Sequence, residues 1–230
     1  MSEVGGRGLV VSLTLSPDVK VAFPDLMVLV SQISNVNVET VNSQLEEFKR
    51  LITEETQQFY TAETLKDRPV LRVYRDFFWR IKVDPTKIRP AAEALIRRIV
   101  IGKPLPRINT FVDAYNLASV KTEVAIAAFD ADKLRGDLTM RFAEKDEKFF
   151  GIGMDKPLLL QGGEIVVEDA EKLVAVYPYR DAEDSKVTEA TKNVVLLLCG
   201  VPGISEEKLV DAKRVASEYV TRFCGGTVKV

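Results

Sequence analysis

Four polar side chains recur at helical spacing in a segment that is otherwise apolar. In PRINTFVDAYNLASV, residues 106–120, the positions Asn109, Asp113, Asn116 and Ser119 are separated by four, three and three residues, so they share one face of a predicted helix. A carboxylate, two amides and a hydroxyl on one face can line a pocket and orient a water molecule or a polar substrate. The same side chains can instead hydrogen-bond buried loop backbone, and the pattern leaves both interpretations open.

The absence of histidine restricts the chemistry further. None of the 230 residues is a histidine, which excludes Cys/His zinc sites and Ser-His or Cys-His dyads. Cys199 and Cys224 lack CxxC spacing, and we interpret them as buried thiols in a reducing compartment. Carboxylates, phenols, hydroxyls and backbone amides remain for catalysis, and we expect neither a metal nor another cofactor.

Positive charge is concentrated in one segment that also contains the only tryptophan. Arg72 to Arg107 holds ten basic residues against three acidic ones, a net charge of +7, while the rest of the chain carries −9. Such asymmetry can form an anion-binding face on an acidic protein. Alternatively, the arginines pair with carboxylates within the fold. The segment YRDFFWRI places Tyr74, Phe77, Phe78 and Ile81 at helical spacing, and we expect the neighbouring Trp79 to be mostly buried with them.

The remaining periodicities predict an α+β protein. Helices are expected over Thr40 to Thr53, from Pro90 to Ile101, from an N-cap at Asn109, and from an N-cap at Ser205 to Phe223. Strands are expected at Leu9 to Leu15 and Leu26 to Val30. Between residues 123 and 199, short β-rich runs separated by turn residues predict a mostly antiparallel sheet.

The middle of the chain resembles the B3/B4 domain of the β subunit of bacterial phenylalanyl-tRNA synthetase. The matching motifs are RIN, VDAYN, AFDADKL, the G.L..R.A pattern from Gly136 to Ala143, and the S.V...T pattern from Ser185 to Thr191. The resemblance extends over roughly Lys87 to Val195. With YRDFFW, DPTKIRP and YPYRD added, the chain looks like the free-standing B3/B4-domain proteins of prokaryotes.

The resemblance implies an editing pocket, which in the synthetase hydrolyses wrongly attached tyrosine from tRNA. The family's Thr-Asn pair falls on Tyr115 and Asn116, its pocket histidine on Ala127, its glycine on Pro178 and its glutamate on Leu197. The expected pocket residues are Tyr115, Asn116, Ser119, Ala127, Tyr179, Arg180, Thr188, Thr191 and Asn193. The expected catalytic residues are Asn116 as a donor, with Asp113 or Asp181 holding a water molecule or the α-amine.

Three alternative functions are compatible with these observations. The first is a trans-acting deacylase of mischarged aminoacyl-tRNA, an ester hydrolase rather than a complete ligase. The second is a non-catalytic module that binds an amino acid, a nucleotide or an RNA end. The third is a subunit of a protein complex, with the basic aromatic segment as its interface. For the first two, we expect Lys82, Lys87, Arg89, Arg97 and Arg98 to form a phosphate-facing rim, with Glu93 exposed beside it.

The expected architecture is an N-terminal α/β extension, residues 1–83, packed on a B3/B4-type body, residues 84–230, as one unit. The opening MSEVGGRG lacks the apolar core of a signal peptide, and the longest apolar run, Val194 to Cys199, is too short to span a bilayer. We therefore expect a soluble cytoplasmic protein with no membrane partner. Its oligomeric state does not follow from the sequence.

Overall fold

The apolar segment NVVLLLC forms the central strand of the fold. The structure, a computed structural model, describes residues 11–229. In it, Asn193–Cys199 is a strand of seven residues, of which six are buried. A continuous apolar run of this length is typical of a strand covered on both faces. This strand has antiparallel neighbours on both sides.

The described residues form six α-helices and eleven β-strands. The helices are α1 (Pro17–Ala22), α2 (Ser43–Phe59), α3 (Pro69–Arg80), α4 (Ala91–Val100), α5 (Thr110–Thr122) and α6 (Glu206–Cys224). The strands are β1 (Leu13–Leu15), β2 (Val28–Ser34), β3 (Ala125–Asp130), β4 (Leu138–Phe142), β5 (Lys148–Phe149), β6 (Leu158–Leu159), β7 (Ile165–Glu168), β8 (Leu173–Val176), β9 (Arg180–Asp181), β10 (Asn193–Cys199) and β11 (Thr227–Lys229).

Two sheets carry most of the strands. The four-stranded sheet has the order β11-β2-β10-β3 and is antiparallel throughout. The five-stranded sheet has the order β1-β4-β7-β8-β9 and is parallel only between β1 and β4. The strands β5 and β6 form a separate hairpin. The fold is therefore α+β with mostly antiparallel sheets, which confirms the predicted class.

The four-stranded sheet is covered on both faces. The Oγ of Ser31 on β2 lies 3.5 Å from the Oγ of Ser217, so this face meets α6. The next residue, Gln32, points to the opposite face because side chains alternate along a strand. Its amide nitrogen donates a hydrogen bond of 2.8 Å to the carbonyl of Val11.

Two helices begin at the predicted N-caps, whereas the helix predicted over Thr40 to Thr53 begins at Ser43 and extends to Phe59. Asn109 caps α5 by accepting a hydrogen bond from the backbone N–H of Val112, and Ser205 caps α6 by accepting one from Lys208. Both N-caps are thereby confirmed. The strand β2 begins two residues later than expected and ends four residues later. Of the strand expected from Leu9, residues Leu9 and Val10, like the opening MSEVGGRG, lie outside the described residues.

Two predictions in the basic segment are wrong. The side chains of Tyr74, Phe77 and Phe78 are buried as expected, but Trp79 is 56% exposed. Trp79 is rotated by about 100° from Phe78 around the helix axis, which takes it off the buried face of α3. Glu93 was expected at the surface but is only 3% exposed. It is buried because Arg75, on the neighbouring helix, supplies an ion-pair partner at 2.8 Å.

Candidate functional site

The edge strand β3 forms one wall of the candidate site. All six of its residues are buried, and four of the first five positions, Ala125 to Phe129, are occupied by small or medium aliphatic side chains. Because β10 pairs with only one edge of β3, alternate peptide groups point away from the sheet. The N–H of Asp130 donates to the carbonyl of Ser185 at 2.9 Å, and that of Ala128 to the Oδ2 of Asp181 at 3.4 Å. The open edge of β3 therefore faces β9.

Asp181 is the acidic group of this site. Burial raises its pKa to about 7, while the N–H of Ala128 and the charge of Arg180 oppose the rise. Burial also raises the pKa of the Tyr115 phenol and of the Cys199 thiol, and the negative charge of Asp181 adds to both shifts. Three acidic groups from α5, β9 and β10 thus lie within electrostatic range of one another. Of the three, only Asp181 exchanges a proton near neutral pH.

The aromatic face of α3 holds the segment that leads into β9. The ring of Phe77 lies 6.4 Å from that of Tyr177, and the ring of Phe78 lies 5.9 Å from that of Tyr179. The hydroxyl of Tyr74 accepts a hydrogen bond of 3.2 Å from the N–H of Ala125 and donates one of 2.5 Å to the carbonyl of Cys199. Tyr74 therefore bridges β3 and β10 at the end of their ladder.

Most of the polar face of α5 bonds to protein groups. The amide of Asn109 donates to the carbonyl of Val187 at 3.3 Å, in addition to capping the helix. Ser119 donates to the carbonyl of Val124 at 2.7 Å. These two side chains thus hydrogen-bond to buried loop backbone, which is the second of the two interpretations that the sequence pattern left open.

Asp113 and Asn116 differ in their contacts. One oxygen of Asp113 pairs with the Nζ of Lys49 on α2 at 2.7 Å, and the other accepts the N–H of Ile108 at 3.1 Å. Asn116 is half-buried, and its side chain makes no hydrogen bond to any residue within 11–229. Asn116 therefore retains free donor and acceptor capacity, whereas the carboxylate of Asp113 is engaged on both oxygens.

The threonines expected in the pocket wall support the turn before β10. The hydroxyl of Thr191 donates to the Oδ2 of Asp130 at 2.7 Å and accepts the N–H of Thr188 at 3.0 Å. Asn193 donates to both carboxylate oxygens of Asp132 at 3.1 Å. Asn193 and Asp132 line a cavity of about 560 Å³ whose walls do not include Asp181. The structure thus separates Asn193 from the group around Asp181.

The positions that the family resemblance assigns to histidine and glutamate are neighbours in space. Ala127 on β3 and Leu197 on β10 are direct cross-strand partners, so their side chains share one face of the sheet. Ala127 is 8% exposed and Leu197 is fully buried. This part of the wall is apolar and contributes no acid or base.

The basic residues divide between the surface and internal contacts. Both oxygens of Glu93 accept hydrogen bonds from Arg75, at 2.8 and 3.1 Å, and the Nε of Arg89 lies 3.9 Å away. Arg98 donates twice to the carbonyl of Pro104, at 3.1 and 3.2 Å. The side chains of the expected rim are exposed at Lys82, Lys87, Arg89 and Arg98 and half-buried at Arg97.

Sequence patterns did not reveal two participants in the site. The N–H of Ala128 was missed because only its position on the open edge of β3 makes it available. Cys199 was treated as an ordinary buried thiol, and its proximity to Asp181 depends on how β9 crosses β3. Among residues 11–229, no three Asp, Glu or Cys side chains converge in a group that could hold a metal ion. In the same residues, no helix has the length and apolar character needed to cross a membrane.

Comparison with known proteins identifies the family. The model of the B3/4 domain matches residues 73–227, about two thirds of the chain, and the protein belongs to this family. Relatives include the phenylalanine–tRNA ligase β subunit of Fusobacterium nucleatum, 34% identical over 88 residues, which are 38% of this chain and 11% of that subunit. The β subunit of Corynebacterium jeikeium is 28% identical over 145 residues, which are 62% of this chain and 17% of that subunit.

A solved structure supports the same fold. An N-terminal fragment of the phenylalanyl-tRNA synthetase β subunit from Pyrococcus horikoshii superposes with a TM-score of 0.51 and 16% identity, covering 95% of this chain and 50% of that chain. The aligned regions of the two bacterial subunits are less than a fifth of those subunits' length. The resemblance to the synthetase β subunit is therefore confirmed for family and fold.

Proposed function

We propose that this protein binds the aminoacylated end of tRNA and hydrolyses the ester that links the amino acid to the ribose. The observation that carries the proposal is the position of Asp181, whose Oδ2 lies 3.4 Å from the N–H of Ala128 at the open edge of β3. The family relationship supports the substrate class, because the relatives are subunits of a ligase that joins phenylalanine to tRNA.

In this proposal, Asp181 acts as the general base. A carboxyl with a pKa of about 7 is partly ionised at neutral pH, and general bases work best when their pKa lies near the working pH. The carboxylate accepts a proton from a water molecule as the water oxygen attacks the ester carbonyl. The C–O bond to the ribose then breaks, and the ribose oxygen leaves as a hydroxyl after taking a proton from Asp181.

Two residues of α5 are the candidate hydrogen-bond donors in this proposal. The phenol of Tyr115 is protonated at neutral pH, and burial raises its pKa further, so it can donate to a developing oxyanion or to the substrate. The amide of Asn116, one position further along α5, is not used by any residue within 11–229. An aminoacyl ester is already activated, so orientation and such donors account for much of the acceleration that is needed.

A second candidate function is binding without hydrolysis. It is favoured by the apolar pair Ala127 and Leu197, which stands where the family resemblance places a histidine and a glutamate. A wall without those two side chains can contact an amino-acid side chain and leave the ester intact.

The deciding experiment measures the hydrolysis and the binding of a panel of mischarged tRNAs. For the cognate member of the panel, Asp181→Asn is expected to lower the hydrolysis rate at least about 100-fold, with little change in tRNA affinity. Asp184→Asn is a matched control, because Asp184 is an exposed carboxylate nearby that pairs with Lys172 at 3.1 Å. The wild-type rate is expected to rise with pH and level off above about 7.

The outcomes separate the two candidates. Tight binding of an aminoacyl-tRNA without hydrolysis by the wild-type protein would support the binding module. Equal rates for Asp181→Asn and Asp184→Asn would remove Asp181 from the mechanism. An absence of both binding and hydrolysis across the panel would reject both functions.

A further inference from the structure

The only tryptophan of the chain is presented to solvent by a helix whose other aromatic residues are buried. Trp79 lies in the last turn of α3 and is 56% exposed, whereas Tyr74, Phe77 and Phe78 are at most 1% exposed. Within residues 11–229, no aromatic ring and no arginine stacks on the indole. A single exposed aromatic residue is ordinary on a protein surface, so any binding role for Trp79 depends on the groups around it.

Positively charged side chains follow Trp79 along the chain, beginning with the residue that ends its helix. The backbone of Lys82 adopts a left-handed conformation with φ of 62° and donates a hydrogen bond of 3.2 Å to the carbonyl of Trp79. This turn ends α3, and the exposed side chains of Lys82, Lys87 and Arg89 come after it. The next segment is fastened to the helix, because the N–H of Val83 donates to the carbonyl of Phe78 at 2.8 Å.

An ion pair links α3 to α4 one helical turn before the tryptophan. Arg75 precedes Trp79 by one helical turn on the same side of α3 and is bonded to the buried Glu93. The Nε of Arg89 is 3.9 Å from the same carboxylate. Trp79 and Arg89 therefore flank one internal ion pair. Arg89 keeps 39% of its side chain exposed, so it remains accessible to a ligand.

The acidic residues nearby do not cancel this charge. Asp76 is exposed on α3, and Asp84 lies at the start of the loop. The Oδ1 of Asp84 accepts hydrogen bonds from the N–H and the hydroxyl of Thr86, and these bonds lower its pKa. The Oδ2 of Asp84 lies 3.9 Å from the Nζ of Lys87, so one of these acids is paired with one of the cations. The exposed basic residues at positions 72, 80, 82, 87 and 89 still outnumber the two carboxylates. The surface around the indole is therefore positively charged.

We propose that Trp79 is a stacking platform for an unpaired base of an RNA ligand, with Lys82, Lys87 and Arg89 placed to contact the adjacent phosphates. An aromatic ring bordered by cations is the arrangement that binds single-stranded nucleic acid without base-specific hydrogen bonds. A protein partner fits less well, because lysine is depleted from protein–protein interfaces. The inference rests on the proposed function for its choice of RNA, and it adds a contact outside the hydrolytic site.

The test uses the intrinsic fluorescence of this single tryptophan and a short RNA without an ester. Oligoadenylate of five nucleotides is expected to quench the emission of Trp79 at saturation. An oligomer of the same length with abasic sugars is expected to quench it much less, because it offers phosphates without a base to stack. Anisotropy of the labelled oligoadenylate gives affinities for variants that lack the fluorophore.

Variants then separate stacking from charge. Trp79→Ala is expected to weaken the binding of oligoadenylate roughly 5- to 150-fold without changing the salt dependence, because no phosphate contact is lost. Lys82→Ala and Lys87→Ala are expected to lower the salt slope by about 0.7 each. Phe59→Ala is the matched control, since Phe59 is an aromatic residue 70% exposed at the end of α2 and lines a separate cavity with Tyr60 and Val120.

Unchanged affinity of a folded Trp79→Ala variant would overturn the proposal and leave a protein partner as the occupant of this surface. Equal quenching by the abasic and the base-containing RNA would overturn it as well. Neither result depends on ester hydrolysis. If Asp181→Asn loses hydrolysis but still shows RNA stacking on Trp79, only the hydrolytic site is affected. The two proposals can therefore fail independently of each other.

Discussion

In the proposed mechanism, Asp181 supplies the acid–base group that a chain without histidine otherwise lacks. Its carboxyl lies where little water reaches it, so the charged form is disfavoured and the pKa rises to about 7. The N–H of Ala128 partly offsets this effect without abolishing it. A buried carboxyl can therefore titrate in the range where imidazole normally does.

The raised pKa has a consequence for stability that can be measured without any substrate. The unfolded chain has an ordinary aspartate pKa of about 3.9, so the folded state binds more protons than the unfolded state between about pH 4 and 7. Stability contributed by the protonated form is then lost as the pH rises through about 7. We expect Asp181→Asn to melt at a higher temperature than the wild type at pH 8 and to differ little at pH 4.

Differential scanning calorimetry at both pH values measures this effect, with Asp184→Asn as the control for the loss of one negative charge. Asp181→Asn is then expected to be both more stable and less active at pH 8. A lower melting temperature at pH 8 than that of the wild type would contradict the unfavourable burial of the charged form.

The contact between the β5–β6 hairpin and β9 positions the two residues Arg180 and Asp181. Gly151 pairs with Ala182 in an isolated bridge, and the N–H of Ile152 donates to the carbonyl of Asp181 at 2.9 Å. Arg180 donates in return to the carbonyl of Ile152 at 3.2 Å. The hairpin connection therefore acts as an additional strand beside the short β9, and it fixes the direction of the Asp181 side chain.

Gly151 leaves the space that this contact requires. A Cβ atom at position 151 would lie 2.7 Å from the Cγ and 2.9 Å from the Cδ of Arg180, closer than carbon atoms approach. We expect Gly151→Ala to displace Arg180 and β9 and to reduce ester hydrolysis about 10- to 100-fold, since displacements near 1 Å have effects of this size.

The double variant Gly151→Ala with Arg180→Ala checks the cause of this loss. If the loss comes from the clash with the arginine stem, adding Gly151→Ala to Arg180→Ala should have little further effect on the rate. If the loss in the double variant instead equals the sum of the losses in the two single variants, position 151 acts independently of Arg180.

Each of the two main sheets combines a strand from the first 34 residues with strands from later in the chain. The strand β2 lies between β10 and β11, and β1 pairs with β4 of the other sheet. Residues before position 84 also contribute α3, whose aromatic face packs against Tyr177 and Tyr179. We therefore infer that the N-terminal extension and the B3/B4-type body fold as one cooperative unit.

A truncated chain tests this inference. A fragment of residues 84–230 would lack β2 and would expose one edge of β10, six of whose seven residues are buried in the complete chain. We expect the fragment to lack a cooperative unfolding transition, whereas the full chain should unfold in a single transition with denaturant. Recovery of a folded fragment beginning near Asp84 after limited proteolysis would contradict this prediction.

Local patterns were sufficient for features that depend on neighbouring residues. The spacing of Tyr74, Phe77 and Phe78 predicted their burial, because a helix places these positions on one side whatever lies against it. The caps at Asn109 and Ser205 were predictable for the same reason, since a capping side chain reaches backbone only two or three residues away. The sequence motifs of the middle segment also predicted the family correctly.

Features that depend on distant parts of the chain were decided by packing. Trp79 is exposed because no element within residues 11–229 covers that side of α3, and Glu93 is buried because α3 brings Arg75 to it. The polar face of α5 was predicted, but the partners of Asp113 on α2 and of Asn109 near Val187 were not. The pKa of Asp181 depends on how much water the surrounding elements exclude. Burial and charge pairing are properties of surfaces that meet only after folding, so residues far apart in the chain determine them together.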